Sequence, residues 1–396
     1  MYDRLLAALL TGFMATSVSF AQDWPQLRGP GGTGAYASKQ LPPDRWGPAE
    51  NIAWKIEIPG EGWSSPIVAG GRVYLTSCVG QDKVDAPKTG FYAPEKKRQP
   101  EVEHRWLVFC FDAVTGEKLW ERVAHKGVPQ HSIHIKASYA PETPVTDGER
   151  VYAFFGNVGL FCYDKNGNAV WSKTWEVMPT RLGWGTGASP VLYKDRIYLV
   201  NDNEKDSFIT ALDKLSGKEI WKVARDEKSN WATPFIWQNA RRTEIVTSGT
   251  NKARSYDLDG NLLWELGGMS SICVPMPVAG HGLLYVSSGY EYGRPRPVFA
   301  VRPGAAGDIS LAKGQTENEF IASRSRPARI IRRRWFSASN CTSCTLPAFS
   351  LASRRRPARG GLRPQFLSQS PLLEVARAAG TAMSRISRRT TDRGIA

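Results

Sequence analysis

The sequence predicts an all-β chain of repeated four-stranded sheets, and three observations predict it. An Asp, a Gly and a Trp recur together four times, as Asp112, Gly116 and Trp120; Asp164, Gly167 and Trp171; Asp213, Gly217 and Trp221; and Asp257, Gly260 and Trp264. The tryptophans stand 51, 50 and 43 residues apart, the length of one supersecondary unit in a stacked or radial array. Between them lie short alternating runs bounded by turn signals, and no segment sustains a 3.6-residue period.

The third copy shows the plan most clearly. Ser189-PVLY reads as a first strand, Lys194-Asp195 as a turn, Ile197-YLV as a second strand, Phe208-ITAL as a third and Glu219-IWKV as a fourth. Asp213-KLS-Gly217 joins the last two, because Asp starts such turns by bonding its own backbone and Gly supplies the positive φ that closes them. First strands in the other copies begin at Ser65-Pro66, Thr143-Pro144, Thr233-Pro234 and Met276-Pro277, where a Pro owes no N–H to the ladder. One such sheet cannot bury both faces. Arranged radially, each covers its neighbour and a Trp from each outer strand packs between them, so the expected architecture is a β-propeller with about five recognisable blades. The fifth, from Ile272-CVPMPVAG, departs from the pattern: Arg302 replaces the turn Asp and no closing Trp follows.

The forms Phe111-DAVTGEKLW and Ala211-LDKLSGKEIW resemble the pyrroloquinoline-quinone (PQQ) type propeller repeat, and Trp24-PQLRGP resembles the mature start of bacterial secreted members. The resemblance covers about residues 22–320. It implies that the twelve Asp, Gly and Trp residues form a docking motif that locks blade to blade. It also implies two functions, since the family holds quinoprotein dehydrogenases, which use PQQ and Ca²⁺, and non-catalytic scaffolds.

Residues 1–21 read as a secretory signal peptide, with Arg4 as the charged start, a largely apolar stretch from Leu5 to Phe20 and a small-x-small site at Ser19-Phe20-Ala21. A periplasmic or secreted protein is expected, with no lipid-anchoring Cys before Cys78 and no integral membrane segment after cleavage. Cys110 and Cys162 hold the blade position that Ala211 and Ser255 hold later. They read as packing residues in a slot for small side chains, with a disulfide between them as the alternative. Cys78 and Cys273 are the other cysteines of the repeat region.

The formal charge of +15 is not spread along the chain. Residues 321–396 hold 16 Arg, no Lys and two acids, Glu374 and Asp392. The rest holds 36 basic and 35 acidic residues, which gives no electrostatic case for nucleic acid as a partner. The tail is expected to be a disordered Arg/Ser/Pro-rich segment produced by a frameshift. Joining the last base of each codon to the first two of the next, from Arg332 to Cys344, gives a string compatible with S-P-L-V-F-G-x-x-L-Y-V-L. That string lies in register over Ser65-PIVAGGRVYLT of the first blade. Residues past about 322 are then expected to have no partner.

Candidate chemistry is sparse. His131 and His134 stand three apart in a loop with no third ligand at metal spacing, and read as histidines near the channel mouth. Cys341 and Cys344 form a lone C-x-x-C within the shifted segment. Gly183-WGTGASP lacks the Lys and the helix of a phosphate loop and reads as the lead into blade three. The insert from Gln81 to His104, between strands of blade one, is a long loop on a rigid scaffold and the first place to seek recognition. PQQ would need a stacking Trp, for which Trp184 and Trp231 are candidates, with a Ca²⁺ site and a catalytic Asp. The family's adjacent Cys pair and a haem C-x-x-C-H are both missing. The expected function is a non-catalytic binding or assembly scaffold for a protein partner of the cell envelope, similar in kind to the periplasmic propeller of the outer-membrane protein assembly machinery. The alternative is a PQQ- and Ca²⁺-dependent dehydrogenase of alcohols or sugars.

Overall fold

A computed structural model describes residues 23–35, 43–47, 50–80, 97–288, 297–325 and the strand Leu372–Val375. The signal segment, residues 81–96 of the insert, Cys341, Cys344 and most of the Arg-rich tail lie outside the described residues.

The chain is a β-propeller of four-stranded antiparallel blades, with no α-helix among the described residues. Blade one comprises Ile67–Ala69, Arg72–Gly80, His104–Asp112 and Lys118–Gly127. Blade two comprises Val145–Thr146, Arg150–Phe155, Gly159–Asp164 and Ala169–Lys173. Blade three comprises Val191–Tyr193, Arg196–Asn201, Phe208–Asp213 and Glu219–Ala224. Blade four comprises Phe235–Gln238, Thr243–Ser248, Lys252–Tyr256 and Leu262–Gly267, with Gly307–Asp308 added parallel to its outer edge. Blade five comprises Val278–Gly280, Leu283–Ser287, Val298–Val301 and Ile321–Ser325.

The core lies between blades. Tyr74, Val108 and Trp120 of blade one pack with Val151, Ala153 and Phe155 of blade two. Tyr152, Phe154 and Leu160 of blade two meet Ile197, Leu199 and Leu212 of blade three. Successive residues of one strand thus serve opposite seams, as the two-residue strand period requires. Val73 and Leu75 face the other way from Tyr74, toward Trp54, Ile56 and Ile58.

Alternating strand direction sorts the connections onto two ends of the ring. One end holds the turns between first and second strands and the Asp-Gly turns. The other holds the loops between second and third strands and the segments that lead into each inner strand.

The expectation that residues past about 322 lack partners needs correction. Ile321–Ser325 is the outer strand of blade five, bonded to Val298–Val301, and Leu372–Val375 pairs with Trp54–Glu57. The chain past residue 322 therefore has partners at both places. Strand pairing needs backbone donors and acceptors more than side-chain alternation, so the Ser- and Arg-containing run Ile321–Ser325 can still pair, and the sequence of Leu372–Val375 is itself largely apolar.

Candidate functional site

In the repeat, each Asp is committed to its own turn. Asp112 Oδ1 accepts the Val114 and Thr115 backbone N–H groups at 2.8 Å, and Asp213 Oδ1 accepts Ser216 N–H at 2.8 Å and its hydroxyl at 2.6 Å. In Asp164 and Asp257 one carboxylate oxygen takes two backbone N–H groups and the other takes an Asn side-chain amide. The Thr115 backbone N–H holds Asp112 below the usual carboxylate range, and the Ser216 hydroxyl does the same for Asp213. Burial would raise Asp164 and Asp257, but hydrogen bonds from Asn168 and Asn261 outweigh it and lower both.

The glycine that closes each turn has φ between 69° and 90°, and it lies under an indole from the preceding strand array. A Cβ would stand 2.8 Å from the Trp120 ring at Gly167, 2.5 Å from Trp171 at Gly217 and 3.0 Å from Trp221 at Gly260. The indole N–H groups of these three tryptophans donate to Lys165, Lys214 and Leu258 carbonyls at 2.9, 3.1 and 2.9 Å. Gly116 is covered by Trp54, whose Nε1 donates to Ala113 O at 3.2 Å. Trp264 differs: its indole donates to the Glu244 carboxylate of its own blade at 2.7 Å.

Three contributors to these seams escaped the sequence reading. Trp54 has no Asp-Gly pair before it, although Trp54-KIE has the alternation of Trp221-KVA. Arg72 and Arg196, in the Arg-Val-Tyr and Arg-Ile-Tyr starts of second strands, donate to the same carbonyls as Trp120 and Trp221, those of Lys165 and Leu258. The third contributor is a hydroxyl relay at the inner strands. Ser65 N–H donates to Thr143 Oγ1 at 2.9 Å, Thr143 N–H to Ser189 Oγ at 3.0 Å, and Ser189 N–H to Thr233 Oγ1 at 2.9 Å. The Ser/Thr-Pro signal was visible as a strand start; its partner one blade away was not.

The small-residue slot lies opposite the indoles. Cys110, Cys162, Ala211 and Ser255 pair across strands with Trp120, Trp171, Trp221 and Trp264, each beside a bulge. Cys110 and Cys162 are buried and not joined to each other, and burial pushes both thiols up to about 12.

At the loop end of the ring, two buried clusters carry charge. Arg225 and Asp202, both fully enclosed, form a two-pronged pair at 2.8 and 3.1 Å. Arg225 also donates to Thr247 and Tyr256 across the seam with blade four. Burial would lower Arg225, but Asp202, Tyr256 and Glu227 hold it protonated. Glu227 bonds Arg254 and accepts Thr250 N–H at 2.6 Å; burial raises it to about 7 against the pull of Arg225. Between blades two and three, Glu142 accepts the Thr186 hydroxyl at 2.6 Å, while its second oxygen has no hydrogen-bond partner among the described residues. Burial raises that carboxyl to about 8.

The other candidates separate. Burial lowers His131 to about 4, and its ring meets Tyr139 edge-on. His134 instead takes Lys136 N–H on Nδ1 and meets Trp184 edge-on. Among the described residues no three His, Cys, Asp or Glu side chains gather as a metal-holding group. The Gly183 run is a short 3-10 turn and an extended lead into blade three. Trp184 and Trp231 lie against each other, ring centres 6.0 Å apart, and Trp231 Nε1 donates to Gly185 O at 2.8 Å. Those two rings do not form a slot for a stacked quinone, and the repeat carboxylates are held in their turns. Among the described residues, these candidates do not fit PQQ with Ca²⁺.

A family profile described as outer membrane protein assembly factor BamB matches residues 49–174 and 160–290. Among solved structures, the chain is similar to BamB from Moraxella catarrhalis, at 14% identity over 63% of this chain and 75% of that one, with a TM-score of 0.37. It is similar to the quinohemoprotein alcohol dehydrogenase of Comamonas testosteroni at 14% identity, over 71% of this chain and 46% of that one, with a TM-score of 0.43. It is also similar to a europium-containing methanol dehydrogenase at 12% identity, over 73% and 71% of the two chains, with a TM-score of 0.42. No curated protein matches the chain.

Proposed function

This chain belongs to the PQQ-type propeller family described as outer membrane protein assembly factor BamB, and from that premise we propose that it is a non-catalytic scaffold of the cell envelope that binds a protein partner. One observation carries the reading: the repeat's polar and aromatic groups are used within the ring. Asp112, Asp164, Asp213 and Asp257 hold their own turns, and Trp120, Trp171 and Trp221 lie on the next blade's glycine. Their role in this reading is docking of blade to blade. Export to the periplasm or beyond belongs to the same proposal; among the described residues no helix is long and apolar enough to cross a membrane.

Purified protein incubated with PQQ and Ca²⁺ tests the reading. The expected result is no cofactor absorbance after gel filtration and no dye-linked oxidation of alcohols or sugars. Turnover that depends on PQQ would replace the scaffold by a dehydrogenase.

A further inference from the structure

Residues 23–33 lie along the inner strands, in the central channel. Trp24 and Val68 exchange both backbone hydrogen bonds, at 2.7 and 2.9 Å, a one-residue β-pairing on the free edge of blade one's inner strand. Thr146 N–H, at the inner strand of blade two, donates to Pro25 O at 2.9 Å. Gly70 N–H donates to Asp23 Oδ1 at 3.1 Å. Farther along, a Cβ on Gly32 would stand 2.9 Å from Met276 Cε, which leads into blade five, and 3.4 Å from the Phe235 ring of blade four. One short segment thus touches four blades.

The segment also has a shape of its own. Gly29 N–H donates to Gln26 O at 2.8 Å and Gly32 N–H to Gly29 O at 3.0 Å. The Trp24 ring lies on Gly29, where a Cβ would come within 2.4 Å. It therefore presents a fixed set of features: a carboxylate, one residue that pairs as a strand, a proline carbonyl and two close-packed glycines.

An inner-strand edge offers unpaired N–H and C=O groups, which is the means by which proteins add an extended peptide to a sheet. Tethering raises the effective concentration of such a segment to the millimolar range, so a modest intrinsic affinity holds it in place. We propose that the channel is a peptide-binding site and that residues 23–33 are its intrachain ligand, exchangeable for an extended peptide with the same order of acidic residue, aromatic residue, proline and glycine turn. This rests on the scaffold reading and deepens it, since it gives the partner a chemical class: a polypeptide segment that enters the channel as an added strand.

The test uses the folded full chain with a protease recognition sequence placed at residues 36–42. After cleavage, the freed segment is expected to stay with the ring through gel filtration. A fluorescent peptide of residues 23–33 is expected to replace it, and a peptide carrying Gly29→Val and Gly32→Val to compete at least tenfold more weakly. Loss of the cut segment without rebinding of the labelled peptide overturns the proposal, as does retention without any exchange. Either failure leaves the non-catalytic reading standing, because that reading falls only to PQQ-dependent turnover.

Discussion

The seams between blades one and four differ in kind from the seam between blades four and five. In the former, an outer-strand Trp reaches across to a carbonyl of the next blade's turn, and at two of the three seams a second-strand Arg joins it there, as Arg72 and Trp120 do at Lys165 and Arg196 and Trp221 do at Leu258. In blade four Glu244 holds the position of those arginines, and the donor becomes an acceptor. The Trp264 indole turns to it, with Ser255 Oγ on the same oxygen at 2.6 Å. Blade five has Arg302 where the turn Asp stood, and that side chain bonds Asn318 and Glu319 carbonyls of its own loop. Part of the same loop, Gly307–Asp308, lies on the outer edge of blade four. The difference teaches that the indole is bound to whatever acceptor its surroundings supply. The repeat Trp reaches the next blade where that blade's turn presents a carbonyl.

Trp120→Ala is expected to have the largest effect, about 3–5 kcal/mol, from lost aromatic burial and the cavity left behind. Trp→Phe variants then sharpen the comparison. At residue 120 the Lys165 carbonyl keeps Arg72, so a loss of about 0.5–1.5 kcal/mol is expected. At residue 264 a buried carboxylate loses a donor, which costs about 1.5–3 kcal/mol. Urea unfolding of the two variants decides this, and equal costs would show that the two seams are alike.

The three seams in which a repeat Trp lies on the next blade's glycine were legible because their signals are local. An Asp, a Gly and a Trp within nine residues fix a turn and mark the strand that follows it. Trp264 has the same local signal as Trp221, but its indole goes to Glu244, which stands where blades one and three have Arg72 and Arg196. The hydroxyl relay pairs Ser65 with Thr143 across 78 residues, and no spacing within one repeat reveals it. Trp54 lacks a turn of its own, and the channel segment lacks any period. These features came from tertiary contact alone.

The next effect concerns pH at the seam of blades two and three. The Glu142 carboxyl rises to about 8 in the folded chain from an ordinary value of 4.5. The folded state therefore binds the proton more tightly, and stability from this group is full below pH 4.5 and lost as pH rises through 8. The urea midpoint of the protein is expected to fall between pH 5 and 9, and Glu142→Gln is expected to flatten that fall. A variant with the same pH dependence would remove Glu142 as its source.

Gly167→Ala separates backbone strain from indole contact. Its φ of 82° disfavours a side chain, and the Trp120 ring occupies the space. Gly148 has a φ of 89° but open space around it. Gly148→Ala is expected to cost about 1 kcal/mol from φ alone. Gly167→Ala is expected to cost at least twice that, unless the indole gives way without loss of its bond to Lys165.

The smallest effect tests whether the inner relay belongs to the same comparison. Ser189→Ala leaves Thr143 N–H without its acceptor while Ser189 N–H keeps Thr233 Oγ1. The expected loss is about 1 kcal/mol, that of one neutral hydrogen bond. The relay stops where Met276 stands in place of a hydroxyl, beside the blade whose seam lacks the Trp–Gly contact. A double variant, Ser189→Ala with Trp171→Phe, then asks whether inner and outer bonds of one seam act together. A sum of the single losses would make them independent fasteners. A smaller loss would mean that loosening the inner edge already releases the Trp171 indole from Lys214, and that blades two and three part as a unit.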